Sequence, residues 1–285
     1  MTQALGSTQP ARLVVDLARA CHPEPSVGVT AFAVMLGVIA GGGPSTVVTL
    51  GAAVFCGQLT IGWSNDRIDA TRDKHVYRQD KPLATGRLSN RAVESAIGVA
   101  LAATIALSLL LGIPAGLLHL AAVACGWIYN AWAKSTIWSW VPYAVAFGAL
   151  PGVATLAMDP PRAPSLWIIG AGAALGVVAH LTNVLPDLAD DQDTGVRGLP
   201  HRLGARVSLV TSSVLLIVAT SLVVFGPAGA VSAWRYATLG IAVVLSVAGG
   251  WWAVRHRPTR ATFYGLFVVV ALELVLVATS ADHLR

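Results

Sequence analysis

The sequence predicts an all-α, polytopic membrane protein with nine transmembrane helices and a cytoplasmic N-terminus. Three observations predict this fold class: the composition, the division of the chain into apolar runs of membrane-spanning length, and the distribution of Lys and Arg. Of the 285 residues, 55% are hydrophobic and only 12% are charged, and the mean hydropathy is +0.68. Such a chain is too apolar for a soluble domain of ordinary composition, so it is expected to lie in a lipid bilayer.

Nearly the whole chain after residue 25 divides into apolar runs, and a span needs roughly 20 such residues to cross a hydrocarbon core of about 30 Å. Residues 1–25 are charged and lack the apolar core and cleavage site of a signal peptide, so they predict a cytoplasmic amphipathic lead-in helix. Residues 26–285 are expected to form a single transmembrane domain. The nine spans are predicted near residues 27–43, 46–64, 92–111, 115–133, 138–157, 165–186, 206–226, 235–253 and 262–281.

The loops between these spans differ in charge, and the difference predicts the orientation. With the N-terminus in the cytoplasm, sixteen of the nineteen Lys and Arg residues fall inside, and only Arg162, Arg235 and Arg285 fall outside. Short cytoplasmic loops carry such an excess of Lys and Arg. Topology therefore explains the net charge of +5, and no nucleic-acid partner is predicted. We expect a multi-pass protein of a bacterial cytoplasmic membrane.

Half of the acidic residues, seven of fourteen, lie in two short segments that follow the second and the sixth predicted spans. Each segment contains the pattern Asn-x3-Asp-x3-Asp, and a spacing of four places the three side chains on one face of a helix. The two stripes are Asn65, Asp69 and Asp73, with Asp66 beside them, and Asn183, Asp187 and Asp191, with Asp190 and Asp193 beside them.

Carboxylates stacked on one helix face repel one another, and near the hydrocarbon boundary they are costly unless a cation neutralises them. Oxygen ligands without paired His or Cys favour a hard divalent ion, and Mg2+ often binds through one or two carboxylates and substrate phosphates. The loops that follow both clusters are basic, which suits a polyanion. These residues predict a Mg2+-diphosphate site at the cytoplasmic face. The alternative is a solvated helix end beside basic loops that only enforce topology.

The residues of both clusters resemble the motifs of the UbiA superfamily of intramembrane prenyltransferases. The family's first motif, NDxxDxxxD, matches residues 65–73. Its second motif, DxxxD followed by a glycine, a basic residue and LPxxLG, is similar to residues 187–204. The segment 81–87, KPLATGR, is similar to the family's RPLxSG-type segment, with Lys in place of Arg and Thr in place of Ser.

The resemblance implies a UbiA-like prenyltransferase bundle that moves a prenyl group from a prenyl diphosphate to a small, lipophilic, aromatic acceptor such as a quinone precursor. It implies Mg2+ as the cofactor. The implied catalytic residues are Asp69, Asp73, Asp187 and Asp191. The implied metal ligands are these four together with Asn65, Asp66 and Asp190. The implied substrate contacts are Arg72, Lys81, Lys134, Arg197, Tyr129 and Asn183.

Tyr129 and Lys134 resemble a Tyr and Lys pair that the family often has at the cytoplasmic end of its fourth helix. Here the two residues stand five apart, one position from the commonest spacing. Tyr129 is therefore either a substrate contact or an anchor at the membrane interface, where Tyr and Trp gather. Glu273, an ionisable residue in the ninth predicted span, is either functional or a partner of a residue such as Arg206 or His180.

Three other functions stay open from the sequence. A polyprenyl-phosphate phosphoribosyltransferase and a membrane terpene cyclase would share the fold and the diphosphate site. A secondary transporter is a rival of another class, although carriers hold their substrates near the membrane midplane, whereas the acids here crowd one face. The acceptor, the prenyl chain length and the general base are not predicted.

Overall fold

The computed structural model describes residues 9–185, 188, 195–229 and 231–255, and this part of the chain is helical and contains no strand. A long loop, residues 76–89, follows the third helix. The elements are α1 (Gln9–Ala20), α2 (Pro23–Ile39), α3 (Pro44–His75), α4 (Asn90–Leu110), α5 (Ile113–Ala131), a 3-10 turn (Ala133–Ser135), α6 (Val141–Leu156), α7 (Leu166–Val184), α8 (Leu199–Phe225) and α9 (Ala233–Arg255).

Eight of the nine predicted spans fall within the described residues, except for residue 186 at the end of one of them, and each coincides with a helix. The helices α3, α4, α5, α7, α8 and α9 are long and apolar enough to cross a membrane. The helices α2 and α6 are apolar but shorter, with 17 and 16 residues. The ninth predicted span, 262–281, lies outside the described residues, so the count of nine spans and the orientation stay predictions.

Helix α3 is longer than predicted, and this corrects the position of the first acidic motif. The span was predicted to end at residue 64, but the helix continues through His75. The helix begins at Pro44, whose fixed φ suits a first turn. Its last turn carries the basic residues Arg72, Lys74 and His75, which are favourable near the negative end of the helix dipole. The motif therefore lies on the helix itself. A helix of 32 residues is about 48 Å long, so its motif end extends beyond the hydrocarbon core.

Apolar side chains from six helices, α2, α3 and α5–α8, form the main core, in which Leu50, Val153, Val178 and Val223 are fully buried. Glycines bring α6 and α7 especially close. Gly172 and Gly176 of α7 lie against the backbone carbonyls of Phe147 and Tyr143 in α6, where any Cβ would collide. Small residues permit this approach between membrane helices.

The N-terminal segment packs on the motif half of α3. The backbone of Cys21 lies against Gly62, leaving no room there for a side chain. Trp63 Nε1 donates to the Leu17 carbonyl at 2.9 Å, and Ser26 Oγ donates to the Cys21 carbonyl at 2.9 Å. The predicted amphipathic lead-in is thus a helix, α1, that is docked on α3, and α2 already begins at Pro23.

Candidate active site

Three buried carboxylates project from one face of α3. They belong to Asp66, Asp69 and Asp73, and Asp66 is only 1% exposed. Asp73 lies close enough to both other acids to interact with them electrostatically. Asn65, which was predicted to share the stripe, is half-buried at its edge. The buried face of α3 is therefore defined by Asp66, Asp69 and Asp73, spaced three and then four residues apart, and not by the predicted stripe that begins at Asn65.

Asp69 is paired with two cations that come from different parts of the chain. Lys134 Nζ donates to Oδ1 at 2.5 Å, and a guanidinium nitrogen of Arg72 lies 2.8 Å from Oδ2. Lys134 belongs to the 3-10 turn after α5, 65 residues away in sequence. Both oxygens of this carboxylate are thus bound by positive charge.

Helix α5 is fixed against α3 by a buried amide. Asn130 Nδ2 donates to the Ile61 carbonyl at 2.8 Å and to Ser64 Oγ at 2.9 Å. These hydrogen bonds fix the C-terminal end of α5, and hence Lys134, next to the acidic motif of α3, which begins at Asn65.

Asp66 is paired through only one of its oxygens. Lys81 Nζ donates to Oδ1 at 2.5 Å, and His22 Nε2 lies 2.9 Å from the same atom. His22 is held in the left-handed region, with φ 55°, at the junction of α1 and α2. Asp66 Oδ2 is buried and has no hydrogen-bond partner in the described part of the chain.

The long loop after α3 keeps its other acid away from this cluster. Arg78 Nε and a second guanidinium nitrogen each donate to Asp80 at 2.9 Å. These hydrogen bonds lower the pKa of Asp80 to about 2, so this exposed carboxylate is ionised and engaged in the loop at neutral pH.

Aromatic rings from three helices, α5, α6 and α7, meet inside the bundle. The ring of Tyr129 lies edge-on to Tyr143, with centroids 5.0 Å apart, and edge-on to His180 at 5.5 Å. Tyr143 stacks on Phe147. Tyr129 therefore faces other side chains inside the bundle, unlike the exposed Trp138, which suits an interface anchor.

The described part of the second motif lies at the same end of the bundle as the first. We call residues 132–140 the connecting segment, because they touch both motifs. Its Lys134 reaches Asp69, the Lys134 carbonyl lies against Gly198, and Ser139 Oγ accepts the Leu199 backbone N–H at 2.9 Å. The first motif and the segment that follows the second acidic cluster are therefore joined by one stretch of chain.

Other predicted residues of the second motif are only partly described. Asn183 is exposed and hydrogen-bonds to the Tyr143 hydroxyl, and Arg197 is exposed. The remaining predicted residues, Asp187, Asp190, Asp191 and Asp193, lie outside the described residues, as does Glu273.

Four polar residues that contribute to this region were not singled out from the sequence as site residues: His22, Asn130, Ser139 and His180. For two of them the sequence itself indicated a special position. Asn130 and His180 are polar groups within apolar runs, which mark internal or functional positions in membrane helices. His22 and Ser139 act through contacts with residues 44 and 41 positions away, and no local pattern contains such contacts.

The chemistry of the α3 donors fits a hard divalent cation such as Mg2+. The three buried groups offer oxygen only, and Asp66 Oδ2 is a buried acceptor without a partner among the described residues. Within those residues no three His, Cys, Asp or Glu side chains form a complete ligand group for one metal. The acids of α3 thus provide one part of a site, which phosphate oxygens and further ligands would complete.

The chain is similar to known proteins in sequence and in fold. The UbiA prenyltransferase family matches residues 26–271. Over 164 residues the chain is 27% identical to a 4-hydroxybenzoate octaprenyltransferase from Enterobacter sp. (strain 638), and the match spans only 57% of that relative's length and 57% of this chain.

Two solved structures have a similar fold. One is the apo structure of a UbiA homolog from Aeropyrum pernix K1, with a TM-score of 0.71 at 18% identity, covering 90% of this chain and 96% of that one. The other is a UbiA homolog from Archaeoglobus fulgidus bound to GPP and Mg2+, with a TM-score of 0.71 at 15% identity, covering 94% and 99%. With the family match extending over most of its length, the chain belongs to the UbiA prenyltransferase family.

Proposed function

We propose that this protein is a Mg2+-dependent intramembrane prenyltransferase that joins the prenyl group of a prenyl diphosphate to a small aromatic acceptor. The observation that carries the proposal is the set of buried carboxylates on α3, two of which are paired with Arg72 of the same helix and with Lys81 and Lys134 from two other parts of the chain. Buried charges of both signs are costly in a membrane protein, and they mark binding sites for ions and charged substrates.

The residues that would hold the metal are Asn65, Asp66, Asp69 and Asp73 of α3, together with Asp187, Asp190 and Asp191 of the second motif. Bound there, Mg2+ would supply positive charge that stabilises the departing diphosphate. Asp66 Oδ2, which has no hydrogen-bond partner among the described residues, supports this assignment most directly, because a buried carboxylate oxygen needs a cation or a donor.

The cations of the cluster have two roles in this proposal. Without substrate, Arg72, Lys81 and Lys134 neutralise the carboxylates. When the carboxylates bind a divalent ion, the same side chains become available to the phosphate oxygens, as the family resemblance implies for them and for Arg197. The site therefore keeps its charge nearly balanced in both states, which limits the cost of burying it.

The reaction breaks the allylic C–O bond of the donor, and the diphosphate leaves with the bonding electron pair. A ring carbon of the acceptor then forms a C–C bond with the allylic cation, and the proton on that ring carbon is lost. Apolar side chains of the bundle would line the path of the isoprenoid tail and exclude water, which would otherwise capture the cation. Tyr129 and Tyr143 offer electron-rich rings next to this path.

An aromatic acceptor is supported by the relative named 4-hydroxybenzoate octaprenyltransferase, and a diphosphate donor by the fold relative bound to GPP and Mg2+. The excess of Lys and Arg in the loops at the motif end supports a cytoplasmic location for the site in a bacterial membrane.

The experiment is an assay of the purified protein in lipid nanodiscs with Mg2+, geranyl or longer prenyl diphosphates, and 4-hydroxybenzoate among other quinone precursors. Prenylated acceptor, identified by mass spectrometry, is the expected product, and chelation of Mg2+ should abolish it. Product without acceptor would indicate a terpene cyclase. Transfer only from a sugar diphosphate would indicate the phosphoribosyltransferase, and ion flux without chemistry would indicate the carrier.

A matched pair of variants tests the site. Asp69→Ala removes a buried carboxylate of the cluster and should lower the transfer rate at least about a hundredfold, the order seen when one charge-stabilising group is removed. Asp80→Ala removes an exposed carboxylate that Arg78 holds in the nearby loop, and the rate should stay unchanged. Full activity of a folded Asp69→Ala protein would contradict the assignment.

A further inference from the structure

We propose that His180 binds an oxygen atom of the acceptor substrate through a hydrogen bond from its Nδ1. This inference rests on the proposed prenyl transfer and names the residue that recognises the second substrate. It assigns His180 a role in acceptor binding, separate from the carboxylates and cations that bind the diphosphate.

His180 is a buried polar side chain that lacks one hydrogen bond. It lies in the apolar helix α7 and is 1% exposed. Its Nε2 is 3.0 Å from Ser139 Oγ, whereas its Nδ1 is buried and has no partner among the residues that the structure describes. Buried polar groups in proteins are nearly always hydrogen-bonded, and an exception beside a substrate path indicates a ligand.

The hydrogen bonds of Ser139 indicate which nitrogen of the imidazole carries the proton. Ser139 Oγ already accepts the backbone N–H of Leu199 at 2.9 Å. We infer that Ser139 donates its hydroxyl proton to Nε2 of His180, 3.0 Å away, and in that arrangement a neutral imidazole carries its own proton on Nδ1. The group that faces the ligand is therefore a donor, which suits a phenolic, carbonyl or carboxylate oxygen.

The surroundings of His180 suit a flat ring that bears such an oxygen. Tyr143 lies 5.0 Å from the imidazole and Tyr129 lies 5.5 Å from it, between ring centroids. Aromatic rings at these separations prefer edge-on or offset contacts with another ring. Together they provide aromatic walls and one polar contact, which is the usual composition of a small-molecule site.

The position of His180 relative to the diphosphate site suits an acceptor. It stands three residues before Asn183 on α7, which is about 4.5 Å along the helix axis and slightly less than one turn. The connecting segment holds both sites, because Ser139 contacts His180 and Lys134 contacts Asp69. An acceptor oxygen at Nδ1 would hold the ring beside the carbon that the diphosphate leaves.

The test uses substitutions that separate the two nitrogens of the imidazole. His180→Phe keeps a ring but removes both nitrogens. His180→Asn keeps an N–H donor near the position of Nδ1, whereas His180→Gln keeps one near Nε2. The matched control is His119→Phe, which alters another buried histidine, one that contacts Ser108 in α4.

Each variant is assayed with geranyl diphosphate as the donor and 4-hydroxybenzoate as the acceptor, measuring kcat, the Michaelis constant for each substrate, and diphosphate release without acceptor. His180→Phe should raise the acceptor KM on the order of ten- to a hundredfold, with the donor KM and the release of diphosphate nearly unchanged. His180→Asn should recover much of the acceptor affinity, and His180→Gln should not. His119→Phe should leave both Michaelis constants unchanged.

An unchanged acceptor KM in His180→Phe would overturn the inference while leaving prenyl transfer in place. Equal changes in both Michaelis constants, or equal behaviour of the Asn and Gln variants, would also overturn it, because a purely structural role does not distinguish substrates or nitrogens. Absence of transfer by the unmodified protein to any aromatic acceptor would overturn the proposed function, and this inference with it. If His180→Phe fails to fold, the Asn and Gln pair decides.

Discussion

Two buried polar regions of the bundle obtain their hydrogen bonds in different ways. Between α4 and α5, Ser108 Oγ donates to the Thr104 carbonyl at 2.5 Å and lies 2.7 Å from His119 Nδ1. These groups are neutral, and Ser108 and His119 are only 11 residues apart along the chain. At the motif end, Asp66 and Asp69 pair with basic groups that are as far as 65 residues away.

The difference shows what each region does for the molecule. The contact between Ser108 and His119 gives both buried side chains a hydrogen-bond partner, so it stabilises the packing of α4 against α5. The motif end buries several charges, each of which costs several kcal/mol to remove from water, and it still leaves Asp66 Oδ2 without a partner among the described residues. Such an arrangement is poor for stability and well suited to binding an ion and a polyanion.

The largest effect is expected from removing one ion pair of the motif end completely. Replacing Asp66 by Leu and Lys81 by Met together should abolish transfer, because both the carboxylate and a phosphate contact are lost. The same change should leave the melting temperature unchanged or raise it, since apolar replacements of buried ion pairs are neutral or stabilising by about 1–4 kcal/mol. Thermal unfolding and the transfer assay measure the two effects. A large loss of stability would contradict the comparison.

A smaller loss is expected when one cation is removed. Lys134→Met keeps the length of the side chain but leaves Asp69 with Arg72 alone. The rate should fall by about two to three orders of magnitude, the effect of removing one group that stabilises developing negative charge. Single-turnover kinetics measure it. The matched change is Arg67→Met, which breaks an exposed pair with Glu94 and should leave the rate unaltered.

The contact from the N-terminal segment should matter less. His22→Ala removes one of the two groups on Asp66 Oδ1 but retains Lys81. We expect kcat/KM to fall about tenfold, since a hydrogen bond to a charged group contributes roughly 1.5–3 kcal/mol and the remaining lysine compensates for part of it. Steady-state kinetics at several Mg2+ concentrations measure the change. Unaltered kinetics over the whole range would show that the N-terminal contact has no part in the site.

The smallest effect on activity is expected from a change in the Ser108–His119 contact between α4 and α5. Ser108→Ala takes the partner from His119 Nδ1 and should lower the stability by about 1–3 kcal/mol, the cost of one unsatisfied buried polar group. Transfer by the folded protein should be unchanged. Unfolding in mixed detergent and the transfer assay separate the two readouts, and a selective loss of activity would mean that this region also serves the chemistry.

The sequence predicts this molecule well where structure depends on local composition. Apolar runs located every helix of the described spans, and the first acidic motif lies on α3 with its three aspartates buried. Helix ends were less predictable, because they depend on capping and on charge. Helix α8 begins at Leu199 rather than near 206, since Pro200 starts a turn that continues into the span through a kink at Gly204, with φ 74°.

The ion pairs within the site were not predicted from the sequence. Arg72, Lys81 and Lys134 were selected as phosphate contacts, and the structure pairs each with a carboxylate. Asp66 was set beside the stripe, yet it is the most buried of the three acids. Which face of α3 is buried is decided by α1, α5 and the loop to Lys81, all of which are distant in sequence, so no periodicity within the motif contains that information.

The contact between His22 and the motif half of α3 also sets an order of events during synthesis. The ribosome makes His22 first and Lys81 59 residues later, so at about 5–20 residues per second the histidine waits roughly 3–12 seconds for its last partner. The surface on which α1 packs is made earlier, because Gly62 and Trp63 of α3 precede Lys81 in the chain. The contact between the N-terminal segment and the site can therefore be completed before α4–α9 have been made, whereas the contact of Lys134 with Asp69 must wait for α5.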